Sequence, residues 1–231
     1  MDHISKRNRP GSAARALSRR NLLGGAAAVA GGMMLGGAVE LGSPKGAAFA
    51  APNVHTRGDW NARPPKSPVT VLSRFPDHIV VHHTASANTT DYSLSQAYAL
   101  SHWIQDLHMD NNGWIDSGQQ LTISRGGYVM EGRDRSLWAI ETGYHVLGAH
   151  TGGENDHTIG IENEGIYVSQ DTTTMLFESL VQTCAWLCTA YSLDPHQAIV
   201  GHRDYNATQC PGDVLYARLP ELRNRVAQAL G

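Results

Sequence analysis

The stretch GHRDYNATQCPGD, residues 201–213, holds His202 and Cys210 eight positions apart. Far upstream, HIVVHHTAS ends an apolar run on the pair His82 and His83. Imidazole and thiolate together suit zinc, whereas calcium and magnesium want oxygen ligands. One histidine of the pair, with His202 and Cys210, would supply three ligands and leave a fourth position open. That is the catalytic arrangement rather than the closed structural one. Spacing alone does not decide it, because a histidine eight before a cysteine is no standard local motif and the chain holds 12 histidines.

These residues need elements to bring them together. His78–His83 is a short β-branched run and reads as a buried strand. Apolar residues at Leu94, Ala97, Tyr98, Leu100, Ile104 and Leu107 have helical spacing, with Asp91 or Ser93 as cap and NNGW as the stop. QQLTIS and YVMEG flank RGG and predict a β-hairpin. Thr158–Gly165 predicts another strand, and Met175, Leu176, Leu180, Ala185, Leu187 and Cys188 mark a long helix. AIVGH is a short strand running into His202, and LYARLPELRNRVAQAL is a last helix broken near Pro220. Strands and helices interleave, so the class is α/β: one domain, a central mixed sheet flanked by helices.

The first 50 residues stand apart from that domain. A basic start, the Gly/Ala-rich apolar run LLGGAAAVAGGMMLGGAVELG and Ala48-x-Ala50 follow the order of an export signal. Arg19-Arg20 before Leu22-Leu23 resembles the twin-arginine type. A retained anchor is the alternative, since Leu22–Gly42 is about bilayer length. The expected division is therefore a signal over 1–50 and a domain over 51–231, exported and not stably inserted in a membrane. The leader takes seven of the 18 Lys+Arg and two of the 21 Asp+Glu, leaving 11 basic against 19 acidic residues. A net charge of −8, with Lys66 the one lysine after residue 50, argues against a nucleic-acid partner. Cys184 and Cys188 lie one helical turn apart and read as core residues, since a disulfide there would be strained. Cys210 is left over and needs a separate role.

HIVVHHTAS and GHRDYNATQCPG together resemble the zinc N-acetylmuramoyl-L-alanine amidases, a group that includes the peptidoglycan recognition proteins and phage amidase lysozymes. RGDWNARPP, Arg57–Pro65, is similar to the start of the recognition proteins, and GGYVMEGR, GAHTGGENDHTIGIENEG and CPG follow in the family's order. The resemblance spans about residues 55–230. It implies one zinc ion per chain on His82, His202 and Cys210, with His83 as the alternative first ligand. It implies peptidoglycan or a muropeptide as partner, bound by a monomer, and cleavage of the amide between N-acetylmuramic acid and L-alanine. Members that only bind commonly lack the cysteine, so Cys210 favours an enzyme.

One position departs from the pattern. Many members carry a catalytic tyrosine in Asp-x-Gly-Tyr, and DSGQQLTI places Gln119 there. A glutamate in a Gly-Ile-Glu strand serves as base in the family's cytosolic recycling branch, and Glu162 matches it. Strand alternation sets Ile159, Ile161 and Asn163 on one face and Glu162 and Glu164 on the other. A carboxylate beside the metal is a sound general base. Thr208 aligns with a polar residue that hydrogen-bonds the reacting carbonyl, and its other reading is a turn contact. His150 and Asn155 match a loop lining the substrate cleft. The rivals are a non-catalytic peptidoglycan-binding module, favoured by Gln119, and a structural-zinc protein with His83 or His150 as a fourth ligand. Trp60, Trp103, Trp114, Trp138 and Trp186 are candidates for core or for a sugar-stacking platform.

Overall fold

A computed structural model describes residues 49–231, so nearly all of the expected export signal, and the anchor alternative with it, lies outside the described residues. In chain order the strands and helices are β1 (Val54–His55), β2 (Val71–Leu72), β3 (His78–His83), α1 (Leu94–Asp106), β4 (Leu121–Ile123), β5 (Val129–Glu131) and α2 (Ser136–Thr142). There follow β6 (His145–Val146), β7 (Thr158–Asn163), α3 (Thr174–Tyr191), α4 (Pro195–Ala198), β8 (Ile199–Gly201), α5 (Asp213–Ala217) and α6 (Leu219–Leu230). Among the described residues, no helix is long and apolar enough to cross a membrane.

Six strands form one sheet in the order β1-β5-β4-β7-β3-β8. Every neighbouring pair is parallel except the β4–β5 hairpin, so the sheet is mixed, as the interleaved pattern predicts. β2 and β6 make a separate antiparallel pair. β3 lies between β7 and β8, and Ile79, Val80 and Val81 are fully buried. A strand covered on both faces needs this unbroken β-branched run.

The two faces of the sheet differ. Ile79, Val81, Leu121, Ile123, Ile159 and Ile161 point into the main core against α3 and α6. Helix α3 starts where the Thr173 hydroxyl accepts the Leu176 N–H at 3.1 Å, and ends at Ser192 in the left-handed region. Cys184 and Cys188 are buried free thiols on α3, packed in this core. Alternation turns Val80, His82, Thr122, Gly160 and Glu162 to the opposite face. There α1 packs on the β5 side, with Ala97 against Trp60 and Met130. Ser93, not Asp91, caps α1, its hydroxyl accepting from Gln96 N at 3.2 Å, and the helix runs on into one π-helical turn, Leu107–Asn111. The last helix is two, α5 and α6, divided at Arg218. Pro220 sits in the first turn of α6, where its missing N–H leaves no bond unmade, so the break falls before the proline.

Candidate metal centre

Three strands carry a row of polar side chains across the face opposite the main core. Thr122 on β4 pairs with Glu162 on β7, and Glu162 pairs with His82 on β3. On the next strand Gly201 pairs with Val81, which sets His202 beside His82 as β8 ends and the chain turns. The loop after His202 returns Cys210 to the same point, where the His83 backbone N–H donates to its sulfur at 3.3 Å.

His82, His202 and Cys210 offer donor atoms that all lie within 4.8 Å of one another. His82 Nδ1 is 3.7 Å from Cys210 Sγ. Two ligands at about 2.1 and 2.3 Å from one tetrahedral zinc sit about 3.6 Å apart, so this spacing fits a shared ion. The outward nitrogens are already engaged: His82 Nε2 is 3.1 Å from His150 Nδ1, and His202 Nε2 is 3.0 Å from Asn206 Oδ1. Each ring therefore turns its other nitrogen, Nδ1, to the centre. Burial, reinforced for His82 by the surrounding histidines, holds both imidazoles below their usual pKa, in the neutral form a metal requires. Burial, with the Glu162 charge adding to it against the His83 N–H, pushes the Cys210 thiol up to about 12. A cation at this point would reverse that balance, and its uptake would release the thiol proton.

His83 points elsewhere: its Nδ1 accepts from Tyr167 N at 3.3 Å. Glu162 is half-buried, and crowding by protein pushes its carboxyl up to about 8. It makes no side-chain hydrogen bond or ion pair among the described residues. A carboxylate so placed, one strand from the candidate ligands, is free to exchange a proton.

Thr208 is exposed, and its hydroxyl oxygen accepts from Cys210 N at 3.1 Å, which leaves its own proton to donate. The residues expected along a substrate cleft are turned inward. His150 packs on His82. Asn155 spends its side chain on its own loop, accepting from His150 N at 2.7 Å and Thr151 N at 3.0 Å and donating to Thr151 O at 2.6 Å. Gln119 is 1% exposed and donates to Thr122 Oγ1 at 2.8 Å, while its Oε1 is buried without a partner. Of the tryptophans, Trp60 and Trp186 are core, and Trp103 is exposed beside a 330 Å³ groove shared with Ser86, Thr89, Gln96 and Glu164. Sequence reasoning passed over Asn206, although it stands four residues after His202, the reach of one turn. It also passed over Gly160, a glycine inside a strand, which signals close approach of another group.

This fold, a mixed central sheet flanked by helices, is shared with solved peptidoglycan recognition proteins. Drosophila PGRP-LB is 27% identical with a TM-score of 0.63, over 72% of this chain and 92% of that one. The complex of the Drosophila recognition proteins LCa and LCx with tracheal cytotoxin is 26% identical with a TM-score of 0.64, over 73% and 95%. The N-acetylmuramoyl-L-alanine amidase family matches residues 72–213, and the chain belongs to that family. A human N-acetylmuramoyl-L-alanine amidase is 33% identical over 73% of this chain, which spans only 28% of the human protein. Peptidoglycan-recognition protein LB of Drosophila melanogaster is 28% identical over 75% of this chain and 70% of its own length.

Proposed function

We propose that the protein is a zinc-dependent amidase that hydrolyses the bond between N-acetylmuramic acid and L-alanine in peptidoglycan stem peptides. One observation carries this reading. Three donors lie within 4.8 Å of one another, the His82–Cys210 pair at the spacing of two ligands on one tetrahedral ion, with Glu162 in register beside His82 on the sheet face opposite the main core.

His82, His202 and Cys210 would hold the zinc. When bound, zinc supplies Lewis acidity that makes water a nucleophile near neutral pH and polarises the scissile carbonyl. Glu162 accepts the proton of the attacking water and returns it to the departing alanine nitrogen. The Thr208 hydroxyl donates to the carbonyl oxygen as charge gathers there. The groove between α1 and Ser86–Thr89 offers an indole, Trp103, and hydrogen-bonding groups for a glycopeptide strand. The bound tracheal cytotoxin in the relatives' complex supports a muropeptide as ligand. Residues 1–50 we assign to an export signal of the twin-arginine type, placing the enzyme outside the cytoplasm. Gln119, in place of tyrosine, favours the second reading, a module that binds peptidoglycan without cutting it.

The test is release of new L-alanine amino termini from purified peptidoglycan. Zinc-dependent release, abolished by a chelator and restored by added zinc, is the expected result. Sedimentation with cell wall and no release at saturating zinc would leave the binding module.

A further inference from the structure

We propose that His150 and its loop, Gly148–Thr158, form a collar that fixes the proton positions of both histidine ligands, and that His150 is a positioning residue. This rests on the zinc reading above. The direction of each hydrogen bond follows from groups that have no choice. The Thr158 carbonyl only accepts, so His150 Nε2, 3.3 Å away, carries the proton. A neutral imidazole has one N–H, so His150 Nδ1 is a lone pair. That lone pair faces His82 Nε2 at 3.1 Å, so His82 must carry its proton there, which leaves His82 Nδ1 bare toward Cys210. The Thr151 hydroxyl, 2.8 Å from His150 Nδ1, can donate to the same lone pair and share it with His82, in keeping with an unprotonated Nδ1.

The second histidine is oriented from the same loop. The Gly152 carbonyl accepts from Asn206 Nδ2 at 3.1 Å, which fixes the amide and turns its Oδ1 to His202. His202 Nε2 must then carry a proton, and Nδ1 is again the bare nitrogen. Asn155 holds this loop closed through its bonds to His150 N, Thr151 N and Thr151 O.

The fold makes room for the His150 ring and for little else. A Cβ on Gly160 would come within 2.6 Å of His150 Cγ and 2.7 Å of its Nδ1. A Cβ on Gly148 would come within 2.6 Å of His150 Cδ2 and 3.0 Å of its Nε2. Gly160 stands between Ile159 and Ile161 in the middle of β7, where a side chain would otherwise strengthen the sheet. Two separate segments thus leave out a side chain where one ring passes. Partners behind metal-bound histidines are worth about 10–100-fold in affinity, and that is the effect assigned here.

The experiment uses the full-length protein and two variants. His150→Phe fills the slot without an acceptor; His150→Ala opens it for added imidazole. Zinc affinity is read by competition with a chromophoric chelator, and the His82 tautomer by nitrogen NMR on metal-free protein. We expect zinc binding weakened about 10–100-fold in His150→Phe, partial recovery of His150→Ala by imidazole, and the wild-type His82 proton on Nε2. His150→Phe binding zinc like wild type, with only KM raised, would overturn the proposal and return His150 to the substrate cleft. Wild-type protein that binds no zinc would sink the metal reading instead. The tautomer then still decides this inference, since a His82 proton on Nδ1 overturns it.

Discussion

Strands β3 and β7 carry a histidine cluster at each end, and the two are built on opposite principles. At the C-terminal end the donor atoms of His82, His202 and Cys210 lie within 4.8 Å of one another, with His82 Nδ1 3.7 Å from Cys210 Sγ. At the N-terminal end Asp77 Oδ1 takes His78 Nδ1 at 2.7 Å and His157 Nδ1 at 2.6 Å. Those are hydrogen-bond lengths, and they are shorter than the roughly 3.4 Å between two ligands on one tetrahedral zinc. His157 has a second carboxylate, Glu154, at 2.7 Å on its other nitrogen, so its charge is a proton shared within the protein. The first cluster lacks any such internal cation. Residue type therefore does not make a metal site. What matters is which atoms already have partners and how far apart the remaining ones stand.

The largest effect should come from breaking the first cluster. Cys210→Ser removes the softest donor, and we expect zinc affinity to fall by more than about 100-fold, with turnover lost alongside. Metal content after dialysis checks it; unchanged stoichiometry would take Cys210 out of the site. Glu162→Gln should separate chemistry from binding. It keeps the shape and removes the proton acceptor, so kcat should fall about 10²–10⁴-fold with zinc retained. A variant with normal kcat would show that another group moves the proton.

The strand and helix pattern carried most of the fold, because β3, β7, α1 and α3 are long enough to show a period. The elements it passed over are short: β1, β2 and β6 are two residues each, α4 is four and α2 is seven. Two turns or fewer are too short for a periodic pattern to stand out. His82, His202 and Cys210 could be named because donor chemistry and motif order point at the same residues. The side-chain direction of His150 could not. It depends on the space left by Gly148 and Gly160, which lie on two different segments of the chain. Gln119 shows the same limit. Its position in a motif suggested a role at the substrate, while its 1% exposure comes from packing around the β4 end that no local pattern reports.

The comparison is sharpened by disabling the second cluster. His78→Ala with His157→Ala should leave zinc stoichiometry at one per chain, where a second metal site would make it fall from two. Elemental analysis of the dialysed protein separates the outcomes.

The smallest effect is a pH dependence with a definite sign. Hydrogen bonding to Glu154 first, then to Asp77 against the cost of burial, raises the His157 pKa above its usual 6.5. A group whose folded pKa is raised stabilises the fold fully below its unfolded value, about 6.5, and loses that contribution as pH rises through the folded pKa. The clamp has a lower edge too. Despite the cost of its burial, the two imidazoles hold the Asp77 carboxyl below its usual 3.8, so Asp77 stays charged well into acid. Partly exposed ion pairs of this kind contribute about 0.2–1 kcal/mol, which for a domain of this size is about 0.4–4 °C in Tm. Wild type should therefore melt above His157→Gln by that margin near pH 5.5, and the gap should close toward pH 8.5. A gap that widened with rising pH would mean that His157 is neutral in the folded protein. The contrast between a proton-filled cluster and a cation-seeking one would then fail at its simpler half.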